Sequence, residues 1–431
     1  MKFESLGLSP PTLNAIRDRG YKSATDIQSQ SIPPVLGGRD VLAVAQTGTG
    51  KTAAFTLPMI DRLTDGFPAG HNQARALILT PTRELALQIK ENISNYAVHS
   101  RVKSAVVYGG AKINPQMMSL RGGVDILVAT PGRLLDLHRQ NAVKFGRVEM
   151  LVLDEADRML DMGFSDEINE VLSLLPKKRQ NLMFSATFSA QIRTLAKKIT
   201  RDAVEITISP KSVAAVSVNQ WLHPVDQLQK PSLLKKLLSE HEWGQVLVFT
   251  KTKNGADKLT RTLVRGKIKA AAIHGNRPQA QRIKNLARFK AGTIQVLVAT
   301  DIASRGIDIE DLPHVVNFDL PNLAEDYVHR IGRTGRAGLS GEAISLVSFE
   351  EARQLAAIER LTGKAIRREV IAGFKPEKPL PATKLGAVKK IKKPKKPKLG
   401  ADASLRSKSK KLQQERPFKS KRVRSSRKRI K

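Results

Sequence analysis

The chain reads as an α/β protein: two tandem doubly wound parallel-sheet domains followed by a disordered basic tail. Three features of its sequence predict this. Short apolar runs without polar interruption alternate with helix-compatible segments in two successive series, a pattern that suits strands covered on both faces. A polar cluster directly follows most of these runs, at the strand ends where open parallel sheets bind ligands. Beyond Phe374 the alternation stops, and lysine, arginine, proline and serine take over.

From Phe3 to Leu36 the pattern is two helices, with Ser9-Pro10-Pro11 a start and Gly20 a stop. Within this stretch, Gln28 carries an amide able to give and accept a hydrogen bond at an adenine edge, and Tyr21 offers a ring to its face. A capped helix start at Thr25 explains the same residues. Val41 to Val44 is the first strand. Ala76–Leu79, Ser104–Val107, Ile126–Ala129, Met150–Leu153 and Asn181–Phe184 complete the first series. Their polar followers are Pro81-Thr82-Arg83-Glu84, Gly109-Gly110, Thr130-Pro131-Gly132-Arg133, Asp154-Glu155-Ala156-Asp157 and Ser185-Ala186-Thr187.

Ser209-Pro210-Lys211-Ser212 is a polar break. After it come Val246–Phe249, Ala270–Ile273, Val296–Ala299, Val315–Phe318 and Ala343–Val347, with His274-Gly275, Thr300-Asp301 and Tyr327 to Arg336 as polar groups. The expected division is a first domain over 1–208, a linker over 209–218, a second domain over 219–374 and a tail over 375–431. The tail has too few apolar residues to offset its ordering entropy, so disorder is expected.

Ala45-Gln46-Thr47-Gly48-Thr49-Gly50-Lys51-Thr52 joins the first strand to a helix-compatible segment. A strand entering a glycine-rich turn that opens a helix aims several N–H groups at one point, where the helix dipole favours negative charge. Phosphate suits that point. Gly48 and Gly50 let the backbone curl closely, Lys51 reaches the β and γ phosphates, and the Thr52 hydroxyl binds Mg²⁺. The strict pattern has Gly where this chain has Ala45, so taken alone the match also fits a turn without a ligand.

Asp154-Glu155 shifts that balance. Phosphoryl transfer needs a carboxylate for the Mg²⁺ shell and a group that orients the attacking water; Asp154 fits the first role and Glu155 the second. Alone, the pair would read as a solvated helix N-terminus. The positive charge still missing lies in the second series, where Arg330, Arg333 and Arg336 recur every three residues. They share nearly one face of a helix, which Gly332 and Gly335 weaken. Arginines on a separate domain act only when the two domains close, which makes closure a gate for hydrolysis.

Composition sets the outer limits. Over 431 residues, 41% hydrophobic and 26% charged content describe an ordinary soluble protein, but the net charge of +35 does not. Such a field implies a polyanion, either nucleic acid or an anionic membrane surface. From Lys375 to Lys431 there are 23 Lys and Arg against 3 Asp and Glu. There is no cysteine, which excludes disulfide partners, thiolate metal sites and cysteine nucleophiles and fits a reducing compartment. Met1 to Ser5 carries no apolar leader, and no run approaches the about 18 residues of a membrane span. The expectation is a soluble, unsecreted chain with no membrane partner.

Taken together, these motifs resemble the DEAD-box RNA helicases of superfamily 2, and most closely the bacterial RhlE-type group, over about residues 1–374. The ordered set is Phe3, Gly20 to Gln28, Ala45 to Thr52, Pro81 to Ala86, Gly109-Gly110, Thr130 to Arg133, Asp154-Glu155-Ala156-Asp157, Ser185-Ala186-Thr187, Gln279 with Arg282, Thr300 to Asp308, and His329 to Arg336. The resemblance implies two RecA-like domains, with ATP and Mg²⁺ as cofactors. Phe3, Tyr21, Gln28, Thr47 and Thr49 would join the glycines, Lys51 and Thr52 around the nucleotide, and Gly306 and Asp308 would lie near its ribose. Mg²⁺ would be held by Thr52 and Asp154, partly through water. Arg83, Gly110, Thr130 and Arg133, with Gly275, Arg282 and Thr300, would contact RNA backbone. Asp157, Ser185, Thr187 and His329 would couple the ATP site to closure. Ala24 and Asp26 depart from the prolines common in the adenine-recognition segment; Tyr21, Thr25 and Gln28 retain it.

The implied activity is RNA-stimulated ATP hydrolysis that closes two domains on single-stranded RNA and opens short duplexes locally, in ribosome assembly or RNA decay. Aromatic content of 4% makes phosphate and 2′-OH contacts the main grip, tolerant of sequence. His274 and His329 lack paired ligand spacing and read as hydrogen-bonding residues rather than metal ligands. The competing readings are a RecA-type DNA translocase and a basic RNA-annealing protein whose ATPase serves as a clamp switch. The expected location is the bacterial cytoplasm, or the nucleus or nucleolus in a eukaryote, where Lys-Lys-Pro-Lys-Lys would serve as a signal.

Overall fold

A computed structural model of the chain describes residues 1–45, 48–208, 218–241, 243–301, 312–335, 341–383 and 385. A 3₁₀ turn at Phe3–Leu6 and helices α1 (Pro10–Asp18) and α2 (Asp26–Leu36) lead into β1 (Val41–Val44) and α3 (Lys51–Thr64). Then come β2 (Ala74–Leu79), α4 (Arg83–Tyr96), β3 (Ser104–Val107), α5 (Ile113–Leu120), β4 (Val124–Ala129) and α6 (Pro131–Arg139). The first half ends with β5 (Met150–Leu153), α7 (Ala156–Asp161), α8 (Ser165–Leu174), β6 (Gln180–Ser185), α9 (Ala190–Ile199) and β7 (Val204–Thr207).

The second half runs β8 (Val218–Pro224), α10 (Lys230–Glu240), β9 (Val246–Phe249), α11 (Lys253–Arg265), β10 (Ala270–Ile273) and α12 (Gln279–Lys290). It continues with β11 (Val296–Ala299), β12 (His314–Asn317), α13 (Ala324–Ile331), β13 (Gly341–Val347), α14 (Ala352–Thr362) and the two-residue β14 (Arg367–Arg368).

The strands form two seven-stranded sheets, ordered β3-β4-β2-β5-β6-β1-β7 and β10-β11-β9-β12-β13-β8-β14. Every pairing is parallel. The second order repeats the first strand for strand. Burial on both faces explains the unbroken apolar runs: Val41 and Ala43 of β1 pack with Phe55 of α3, whereas Leu42 between them packs on the other face with Ile192 and Leu195 of α9. In the second sheet Val246 and Val248 face Leu259 and Leu263 of α11, and Leu247 and Phe249 face Phe289 of α12.

Six apolar runs are strands with the boundaries expected; the others differ by one or two residues at one or both ends. Three strands were not foreseen. β7 is a half-exposed edge with alternating Val204-Glu205-Ile206-Thr207, and β14 is too short to leave a pattern. β8 holds Asn219, Gln220 and His223 beside the buried Val218 and Leu222. Its polar positions are used by the Tyr327 hydroxyl, which donates to Gln220 Oε1 at 3.0 Å, and by Trp221 Nε1, which donates to His223 at 3.1 Å.

The tail also begins later than its composition implies. The described residues up to Leu385 belong to one compact unit. Leu380 is 9% exposed and joins Leu222, Tyr327 and Ile331 in one apolar cluster. Arg368 Nη1 and Nη2 donate to the carbonyls of Leu380 and Pro381 at 2.8 and 2.9 Å. One buried leucine and two captured carbonyls hold a segment whose composition resembles the lysine-rich sequence after it. Residues 386–431 and the hinge at 209–217 lie outside the described residues.

Leu380→Ala is therefore expected to destabilise the chain by about 2 kcal/mol, seen as a lower urea midpoint. Leu385→Ala, at a 39% exposed position, is expected to stay within about 0.5 kcal/mol of the parent.

Candidate functional site

Strand order decides which motifs meet. β5, β6 and β1 are consecutive neighbours, so their carboxyl ends bring Asp154, Ser185 and Ala45 side by side. β3, β4 and β2 form the other half, and bring Gly109-Gly110, Thr130 and Pro81-Thr82-Arg83 together. The first sheet thus has two stations on one edge.

At the first station, Gly48 and Gly50 take φ of +78° and +94°, the left-handed region that glycine enters without strain. Gly50 caps the 14-residue α3. A side chain there would start 2.5 Å from Gln28 Nε2. Lys51 is 7% exposed, and its Nζ donates to the Ala45 carbonyl at 2.9 Å. Thr52 lies in the first turn of α3. Thr49 is described beside them, and Thr47 lies outside the described residues.

Asp154 is 3% exposed. Burial pushes its carboxyl up to about 7; Lys51 opposes the rise, and Glu155 and Asp157 add to it. A buried carboxylate whose neighbours are also acidic favours a cation beside it. Glu155 follows at φ +51°, uncommon for a residue with a side chain, and its N–H donates to Asp154 Oδ1 at 3.0 Å. Its Oε2 is buried without a hydrogen-bond partner. Left-handed glycines at a helix start, a buried lysine, a raised carboxyl and an orphaned carboxylate oxygen together fit a nucleotide triphosphate with Mg²⁺.

Asp157 holds the next motif in place. Its Oδ2 accepts from Ala186 N at 3.1 Å and Thr187 N at 2.9 Å, and Ser185 Oγ donates to the Thr187 carbonyl at 2.8 Å. The turn after β6 is thus tied to the carboxylate cluster after β5.

The adenine-side residues arrange differently from the simplest expectation. Gln28 Oε1 accepts from Thr25 N at 2.9 Å in a capping box, and Nε2 donates to the Gly50 carbonyl at 3.2 Å. The capping reading is met: the amide caps α2, and it also ties α2 to the glycine-rich loop. Each end of the amide keeps one further hydrogen-bond position. Tyr21 is 39% exposed and stacks at 6.4 Å on Phe3, which is 3% exposed. Phe3 therefore supports the ring of Tyr21 from the core.

From the second half, His329 and Arg333 line one cavity of about 390 Å³ together with Glu155, Asp157 and Thr187. Arg333 is 8% exposed and follows Gly332, the C-cap of α13. Arg330 does not share its direction. Its guanidinium meets both Asp301 oxygens at 2.6 and 2.7 Å and Asn317 at 3.0 Å, and lies over the Phe249 ring. The helix ends before Arg333, so spacing by three does not keep these arginines on one face. Arg336, Gly306 and Asp308 lie outside the described residues.

The second station is a cavity of about 490 Å³ lined by Arg83, Thr130 and Arg133 from the first half and Gly275 and Arg282 from the second. Gly110, at φ +74°, leaves room for the Arg83 guanidinium, which a Cβ would strike. Arg133 Nη1 and Nη2 donate to the Ala111 carbonyl, each at 3.1 Å. Thr300 is buried after β11 and is not among the residues lining this cavity. Arg282 pairs with Glu84 at 2.8 Å, and Gln279 Nε2 donates to the same oxygen at 3.0 Å. Burial pushes the guanidinium of Arg282 below its ordinary value, and the Glu84 charge opposes this.

Glu84 was missed as an interdomain partner. In sequence it is an acid in the first turn of a helix, and nothing local signals a partner in the other sheet. Among the described residues no cluster of three or more His, Asp or Glu could hold a metal alone, and no helix is long and apolar enough to cross a membrane.

A family model described as DEAD/DEAH box helicase matches residues 25–195, and one described as helicase conserved C-terminal domain matches 229–338. ATP-dependent RNA helicase RhlB of Pseudomonas syringae pv. tomato is 42% identical over 374 residues, covering 85% of this chain and 94% of the relative. DEAD-box ATP-dependent RNA helicase RhpA of Helicobacter pylori is 41% identical over 358 residues, 83% of this chain and 72% of the relative. Among solved structures, S. cerevisiae Dbp5 bound to RNA and ADP BeF3 matches with a TM-score of 0.75 at 33% identity, over 86% of this chain and 95% of that one. A DEAD box protein from the hyperthermophile Methanococcus jannaschii matches with a TM-score of 0.50 at 40% identity, over 86% and 99%. These relatives leave the RhlE-type assignment an expectation.

Because its folded value is raised, the stability contributed by Asp154 is fully present below about pH 4 and is lost as pH rises through about 7. Asp154→Asn is expected to remove that loss in the ligand-free protein. Unfolding midpoints with the same pH dependence in both proteins would contradict this.

Proposed function

The chain belongs to the DEAD-box ATP-dependent RNA helicases, and from that premise we propose that it closes two RecA-like domains on single-stranded RNA and opens short duplexes locally, without processive travel. One observation carries the reading: Glu155 and Asp157 of the first domain share a cavity with His329 and Arg333 of the second. The domains proposed span about 1–208 and 219–385, the second extended by the segment that buries Leu380. Support for closure comes from the two structural relatives. The more distant sequence, bound to RNA and ADP BeF3, matches better over the same share of this chain, which fits a difference in domain arrangement rather than in fold.

In this reading Lys51 reaches the β and γ phosphates, and Thr52 and Asp154 would hold the Mg²⁺ shell, partly through water. Mg²⁺, when bound, would neutralise charge on the phosphate oxygens. Glu155 orients the attacking water through its unpartnered Oε2. Arg333, with Arg336, stabilises charge developing on the γ phosphate. Tyr21 and Gln28 select adenine, and Gly306 and Asp308 sit near the ribose. Asp157, Ser185, Thr187 and His329 transmit closure. Arg83, Gly110, Thr130, Arg133, Gly275 and Thr300 meet RNA backbone. Arg282 does so while exchanging or sharing its pairing with Glu84. The proposed setting is the bacterial cytoplasm, in ribosome assembly or RNA decay, with ribonucleoprotein partners.

A second reading is favoured by the tail, with 23 Lys and Arg against 3 Asp and Glu from Lys375 onward: an RNA-annealing protein for which the ATPase is a clamp switch. Truncation should follow Leu385 rather than Phe374, because Leu380 belongs to the folded part. If five tail charges meet phosphates, the salt dependence of binding to single-stranded RNA should become shallower by about 3.5. An unchanged slope would refute a tethering tail.

The primary test is ATP hydrolysis with RNA or DNA added. RNA should stimulate it strongly; stimulation by DNA alone would favour a DNA translocase. Glu155→Gln should bind ATP and RNA but not turn over, and Lys51→Ala should weaken nucleotide binding itself. Arg333→Ala should lower turnover by about 10³-fold or more with RNA binding retained. Near-normal turnover in the Glu155 or Arg333 variant would overturn the role assigned to that residue.

A further inference from the structure

From Lys258 to Thr300 the chain has ten Lys or Arg and no Asp or Glu, although the whole chain carries 39 acids. Ordinary solvated faces mix both signs, so a stretch this long without a carboxylate calls for a physical account. The fold gathers it around one sheet edge. β10 is the outermost strand of the second sheet, with α11 on one face and α12 on the other.

α11 buries Ala256, Leu259 and Leu263 and exposes Lys258, Arg261 and Arg265. The spacing i, i+3, i+7 puts these three charges in one row, about 10 Å long at 1.5 Å per residue. α12 buries Asn285 and Phe289 and exposes Lys284 and Arg288, one turn apart. None of these five cations forms an ion pair with a described carboxylate. Asn285 Nδ2 donates to the Ala272 carbonyl of β10 at 3.0 Å, so the strand edge is partly closed to an incoming strand and a ligand meets side chains.

The geometry points to a second nucleic-acid surface: we propose that the rows on α11 and α12 bind the phosphate backbone of RNA flanking the strand held in the cleft. Continuity favours RNA over other anions. α11 opens at Lys253, whose Nζ donates to Asn276 at 2.9 Å, next to Gly275 of the cleft cavity. α12 opens at Gln279 and carries Arg282 of the same cavity. Both rows therefore lead away from the cleft. The apolar side of α11 is spent on the domain core, which leaves no apolar face to enter a lipid interface. Contacts from such rows are to phosphate and carry no base preference.

The inference rests on the cleft reading, so the test separates the two. Binding of the full chain to a short single strand confined to the cleft is compared with binding to the same strand extended by a flank, across a salt series. Lys258→Gln/Arg261→Gln/Arg265→Gln is expected to make the salt slope shallower by about 2 on the extended strand and to leave the short strand unaffected. Lys284→Gln/Arg288→Gln, an independent variant, should lower the slope by about 1.4. Equal slopes for parent and both variants on the extended strand, or equal losses on both strands, would overturn the surface. Loss of binding to phosphatidylglycerol vesicles or to polyglutamate with an unchanged RNA slope would overturn it too, by assigning the rows to a membrane or an acidic protein. Failure of the parent to bind the short strand would instead refute the cleft.

Discussion

The constraint on which this structure depends is that each sheet is wholly parallel. In an antiparallel sheet, successive loops leave from opposite edges; here every strand delivers its following residues to the same edge. Position along that edge is then set by strand order alone. Order β5-β6-β1 joins three motifs spread over more than a hundred residues into one station, and order β3-β4-β2 joins three others. The hydrophobic core that fixes this order is made of short runs buried on both faces, and it reaches the site through Phe3 under the Tyr21 ring and Ala45 beside Lys51.

Hydrogen bonds from a few side chains turn neighbouring loops into a single device. Gln28 bridges α2 and Gly50, Asp157 bridges the ends of β5 and β6, and Glu84 meets both Gln279 and Arg282 from the other sheet. Each involves a charged or buried polar group, where a lost partner destabilises more than a made bond stabilises. A change at one motif is therefore felt at the next. The Glu84 pairing is of particular interest, since it occupies an arginine that also lines the cavity proposed to hold RNA; a phosphate entering there would compete with a carboxylate already in place.

Backbone strain and an unsatisfied oxygen coincide at Glu155, where chemistry is proposed. Glu155 sits at positive φ with one oxygen unpartnered, and Asp154 is held at a raised carboxyl value by burial. Neither arrangement favours stability on its own, and both become favourable with a cation and a polarised water beside them. Arg330, by contrast, is fully satisfied by Asp301, Asn317 and the Phe249 ring. Arg330 thus builds the domain, and Arg333 lines the shared cavity.

Sequence by itself determined the class of fold and most of the strands buried on both faces, and it singled out the glycine-rich turn after β1 and the carboxylates after β5. These are local facts: an unbroken apolar run, a glycine demanded by backbone conformation, an acid directly after a strand. Tertiary structure alone decided what such facts cannot hold. β8 was hidden because Gln220 and His223 find partners more than a hundred residues away, the Tyr327 hydroxyl and the Glu369 carbonyl. The fate of Arg330 and Arg333 depended on where α13 stops. The start of the tail depended on one leucine finding a pocket made by β8 and α13, and the pairing of Glu84 with Arg282 on two sheets meeting. Each is a contact between segments distant in the chain, and its free energy depends on the packing that brings them together.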